Sequence, residues 1–124
     1  MDHRKSSLNA FNTAEQTVVE DGLFVFPESN LTGCSIKFAD GGSQVKIVKP
    51  GLYLVYFETQ TSGAVALLKN GIVVPNTEST RIFATLIEVP QSCCSIDNTV
   101  KLAVQNTGAT ATYQGANLLV IKLA

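Results

Sequence analysis

Hydrophobic and polar residues alternate in short runs along almost the whole chain. From Phe11 onward, stretches rich in Val, Ile, Leu, Phe, Tyr and Thr are separated by Gly, Asn, Asp and Pro, with no helical periodicity and no long linker. This pattern predicts an all-β, single-domain antiparallel sandwich. Its strands are expected at residues 8–12, 16–19, 23–26, 33–39, 44–47, 52–59, 64–69, 72–74, 81–89, 99–105, 110–114 and 117–123. Asp40-Gly41-Gly42, Pro50-Gly51 and Asn70-Gly71 supply residues that tolerate positive φ, and the last pair joins "VALLK" to "IVV" as a hairpin.

A strand at the surface of a sandwich is apolar on one face only. In "TVKLAVQN", Val100, Leu102 and Val104 form that face, while Lys101 and Gln105 lie opposite. Two runs break the rule. In "GLYLVYFET", Leu52, Leu54 and Tyr56 point one way and Tyr53, Val55 and Phe57 the other; in "ANLLVIKLA", Leu118 and Val120 oppose Leu119, Ile121 and Leu123. Crossover helices, which cover both faces of a parallel sheet, are not predicted here. Side by side, the two strands would expose more apolar surface than a monomer ordinarily carries, so a second copy of the chain is the expected cover.

Length and charge fit that expectation. A chain of 124 residues forms one domain, and with 45% hydrophobic residues, 15% charged residues and a net charge of −1 it has little repulsion to oppose self-association. The same balance denies it the overall basic footprint of a nucleic-acid-binding protein. No apolar run approaches the roughly 18 residues of a membrane span, and "MDHRKSSLNAF" is too polar for a signal sequence, so neither membrane insertion nor a signal peptide is expected.

Catalytic chemistry finds no parts. His3 is the only histidine, which removes Ser-His-Asp catalysis and a zinc site. Cys34, Cys93 and Cys94 are an odd count with two adjacent, so they make no disulfide framework and read as small buried hydrophobes. Among the carboxylates considered as a hydrolytic pair, all but Glu58 and Glu88 fall at predicted turns or strand ends, and no glycine-rich loop leads into a helix. No catalytic residue, metal or cofactor is expected, and the chain does not read as an enzyme.

"GLYLVYFET", "VALLKNGIVV" and "YQGANLLVIKL" resemble the central strand, the following hairpin and the last inner strand of the trimeric jelly rolls of tumour necrosis factor and of the globular heads of the complement first component. The resemblance spans residues 11–123. "FNTAEQTVVEDGLFVF", "GCSIKF" and "VKIVKPGLYLVYF" are most similar to the bacterial and bacteriophage branch, such as the heads of collagen-like spore-surface glycoproteins, although no Gly-x-y stalk precedes the head here.

That resemblance implies a homotrimer with Leu54 and Tyr56 at the threefold axis, Tyr53, Val55 and Phe57 in the core, and Leu119 and Ile121 toward the neighbouring subunits. Glu58 continues the axial face; it would either bring three carboxylates together around a cation or stand at the solvated end of its strand. Residues 1–9 are expected to be a polar tail that docks the head, residues 10–124, to a capsid, tail or surface-layer protein. The function so implied is a non-enzymatic structural or adhesive module on a virion or cell surface, a decoration or fibre head, that binds host-surface glycans. Tyr113 is the one aromatic expected near a loop edge. The alternative is a secreted, receptor-binding signalling ligand like the animal relatives.

Overall fold

In the computed structural model, residues 6–90 and 99–124 are described, and they form ten strands in two five-stranded antiparallel sheets. The strands are β1 (Ser7–Val18), β2 (Glu28–Thr32), β3 (Ile36–Lys37), β4 (Val45–Ile47), β5 (Gly51–Thr59), β6 (Val65–Lys69), β7 (Ile72–Val73), β8 (Ile82–Val89), β9 (Val100–Asn106) and β10 (Ala111–Lys122). Sheet A has the order β2-β1-β10-β5-β8 and sheet B the order β3-β4-β9-β6-β7. Leaving the edge strands β2 and β3 aside, the first strand pairs with the last, β4 with β9, β5 with β8 and β6 with β7. This is one long hairpin rolled up, the connectivity of a jelly roll.

Alternation sets which side chains meet between the sheets. Leu8, Tyr53, Val55, Phe57, Leu118 and Val120 of sheet A and Val45, Ile47, Leu67, Leu102 and Val104 of sheet B are fully buried. Phe24 closes the core, its ring centroid 5.1 Å from Phe57 and 4.7 Å from Tyr113. At the Asn70-Gly71 hairpin, φ values of 53° and 84° match the positive-φ pair that a two-residue turn requires.

Where the observed elements differ from expectation, local hydrogen bonding explains the difference. Residues 8–12 and 16–19 belong to one strand, and so do 110–114 and 117–123, because the breaks in alternation mark a bulge and not turns. Thr13 and Ala14 stand opposite Gly115, whose φ of 64° kinks β10, and the Asn12 side chain accepts the Ala14 N–H at 2.9 Å. Residues 23–26 make only isolated bridges: the Gln16 amide takes both the N–H and the carbonyl of Val25, at 2.9 and 3.0 Å, where a neighbouring strand would otherwise pair. The polar run "ESNLT" is nevertheless strand β2, an edge laid against β1.

The expected boundary at residue 10 also falls inside a strand. Leu8 is fully buried, the Ser6 hydroxyl accepts the Ser35 N–H at 2.9 Å, and the Lys122 N–H donates to the Ser6 carbonyl, so the head includes residues from Ser6 on. His3, Cys93, Cys94 and Asp97 lie outside the described residues.

Candidate functional site

The outer face of sheet A is built by three rows of side chains in register. The first runs Thr32, Ser7, Ile121, Leu54, Leu86; the second Asn30, Asn9, Leu119, Tyr56, Ala84; the third Glu28, Phe11, Asn117, Glu58, Ile82. The face is polar at β2 and becomes apolar across β10, β5 and β8. Leu54, Tyr56, Leu119 and Ile121, the residues expected at a subunit interface, therefore form one block: Leu119 stands directly opposite Tyr56, and Ile121 opposite Leu54. Each is partly exposed, and Leu86 beside them is 56% exposed.

Strand β8 enlarges this block. Ile82, Ala84 and Leu86 face outward while Phe83 and Ile87 are buried, so "IFATLIEV" is a third strand apolar on both sides, and its alternation was visible in the sequence. The edge it shares with β7 is apolar as well. Ile72 is 73% exposed, and a groove of about 430 Å³ runs between the two strands past Val73, Val74, Pro75 and Leu86, with Lys69 and Glu88 also in its lining.

Asn9, Asn117 and Glu58 interrupt the face with polar groups. The Asn9 Oδ1, beside Leu119, is buried with no hydrogen-bond partner, a rare condition for a polar atom in a folded chain. Glu58, at the end of β5, is half-exposed and lies 3.9 Å from the Arg81 guanidinium, which also donates to the Thr59 carbonyl at 3.2 Å. Its carboxylate thus has a cation beside it within the chain. Among the described residues no group of three His, Cys, Asp or Glu is placed to hold a metal ion.

Two expectations are corrected. Tyr113 is not at an edge: it is fully buried, donates to the Asn106 Oδ1 at 2.9 Å and accepts the Ala64 N–H at 3.2 Å. Its position on β10 turns it inward, into the core, where Phe24 packs on its ring. Asn106, also fully buried, donates onward to the carbonyls of Val18 and Ala109 at 2.9 and 3.0 Å. Cys34 is not a buried hydrophobe but exposed. The bend at Gly33 turns the inside of the segment to Ser6 and leaves the thiol outward, where the Lys49 ammonium donates to Sγ at 3.1 Å. This hydrogen bond and charge hold the thiol below its usual pKa.

These features define an all-β sandwich of jelly-roll connectivity with an apolar outer sheet, and comparison with known proteins agrees on the fold. The PRD1 vertex protein P5 superposes with a TM-score of 0.59 over 96% of this chain and 97% of that one, at 15% sequence identity. A protein from Bacillus subtilis matches at a TM-score of 0.42 and 19% identity, over 94% of this chain and 32% of its own length. No family model matches the sequence. No curated protein matches it either.

Proposed function

We propose that this chain is a non-enzymatic structural module of a virion or cell surface that works as a closed homotrimer, its subunits meeting through the outer face of sheet A. The observation that carries the reading is the block of Leu54, Tyr56, Leu119 and Ile121 on adjacent strands, extended by Leu86. An apolar patch of this kind marks an interaction surface. A ring also needs a second, different surface on each subunit, and the apolar edge of β7 and β8 suits that part: the edge of one subunit seats on the face of the next, and a threefold rotation closes the set. Such interfaces bury on the order of 2,000 Å² or more in total.

The likeness in fold to a protein named for the PRD1 vertex supports a place in a virion. In this reading residues 1–5 dock the module to a larger assembly and its exposed surface meets glycans. Deleting residues 2–5 abolishes attachment while leaving the trimer intact; a deletion reaching Ser6 or Ser7 would instead disturb β1 and the Ser35 contact. The deciding experiment is the solution mass by light scattering behind a sizing column. Three times the 13.2 kDa chain supports the trimer, and a soluble monomer overturns it.

A further inference from the structure

The strands of sheet B contain four lysines, Lys37, Lys46, Lys69 and Lys101, and no carboxylate, whereas those of sheet A contain four glutamates and one lysine. Three of the sheet B lysines form a row. Lys37 stands opposite Lys46 across β3 and β4, and Lys46 opposite Lys101 across β4 and β9. Side chains so placed share a face about 5 Å apart, and like charges there repel. All three are exposed, and among the described residues none has an ion-pair partner. The row therefore works against folding.

Two adjoining recesses follow the row. One, of about 540 Å³, is lined by Lys37, Lys46, Ser43 and Gln44 together with Leu31 and Phe38. The other, of about 570 Å³, is lined by Lys101, Asn70 and again Gln44, with Leu23 and Leu68 beside them. Sharing Gln44, they make one shallow track across β3, β4 and β9. Phe38 is held in place by the buried Phe26, at a centroid distance of 6.4 Å, and keeps part of its ring exposed to the first recess.

We infer that this track binds a linear anionic polysaccharide. Sulfate or carboxylate groups on successive sugar units meet the three ammonium groups, the amides of Gln44 and Asn70 and the hydroxyl of Ser43 read sugar hydroxyls, and the apolar face of one sugar ring lies on Phe38. A track with a single aromatic suits a sugar chain better than a nucleic acid strand, whose bases call for a series of stacking rings. The inference rests on the surface-module reading only for where such a polymer would be met, because the track is complete within one chain.

The test uses the full chain at about 50 mM salt, with heparin fragments and polygalacturonate fragments as the sulfated and carboxylated probes. Neutral dextran and a single-stranded oligonucleotide are the controls. At least one charged polysaccharide binds, dextran does not, and affinity falls steeply as salt rises. Lys46→Gln with Lys101→Gln lowers affinity about tenfold or more. Gln44→Ala weakens polysaccharide binding several-fold and leaves the oligonucleotide unaffected. Failure of both polysaccharides, unchanged binding by the double variant, or an oligonucleotide that binds as tightly overturns the inference. A trimer that binds neither polysaccharide sinks this inference alone, and a monomer that binds one sinks the trimer alone.

Discussion

The two sheets share one core yet present opposite outer faces. Sheet A turns Leu54, Tyr56, Leu86, Leu119 and Ile121 outward, and its few charges sit toward the ends of its rows. Sheet B turns a row of lysines outward. A net charge of −1 conceals this separation, because the sum over a chain is blind to which charges a fold gathers together. In the reading proposed above, the apolar face excludes water against a neighbouring subunit and the basic face stays in water and meets an anion.

The sharpest way to break this comparison is to place a charge on sheet A. Tyr56→Glu sets a carboxylate at the centre of the apolar block and, in the proposed trimer, costs several kcal/mol of assembly. Light scattering then shows a monomer, while Lys101→Glu on sheet B leaves the mass unchanged; equal behaviour of the two variants would erase the distinction. Next in size is the stitch between the sheets. Asn106, at the end of β9, bonds to the Val18 carbonyl of β1 and to Tyr113 of β10, so Asn106→Leu strands several buried polar groups. It should cost about 3 kcal/mol in a urea titration.

Smaller and opposite in sign is Lys46→Glu. A carboxylate between Lys37 and Lys101 replaces two repulsive cross-strand pairs with two attractive ones and raises stability by about 0.5–1 kcal/mol. A loss of stability would show that the row is not strained by its charges. Smallest is Lys49→Met, which removes the donor and the positive charge beside Cys34. The folded thiol pKa then rises, less thiolate exists at pH 7.5, and peptide-resolved alkylation of Cys34 slows several-fold. An unchanged rate would mean that Lys49 does not activate the thiol.

The apolar face was largely legible in the sequence because it depends on alternation within a strand. Leu54 and Tyr56, like Leu119 and Ile121, are two residues apart, and a period of two needs no knowledge of partners. The same signal in Ile82, Ala84 and Leu86 was present and passed over. The lysine row was not legible, because it joins residues 37, 46 and 101 through cross-strand register that no local pattern encodes. Tyr113 and Cys34 were misplaced for a related reason. Burial of the first depends on Phe24 and Asn106, and exposure of the second on Ser6 filling the inside of a distant bend.

The rolled-hairpin connectivity also imposes an order in time. A chain synthesised from its amino end has β1 in hand long before β10, its main partner, leaves the ribosome. Until then β5 lacks the neighbour that joins it to β1, and its two apolar sides are open to any other nascent chain. Sandwiches built on such distant pairings fold slowly, and waiting strands are prone to pair wrongly. Refolding from urea should therefore lose soluble yield steeply as the chain concentration rises, because the waiting strands of one chain then meet those of another.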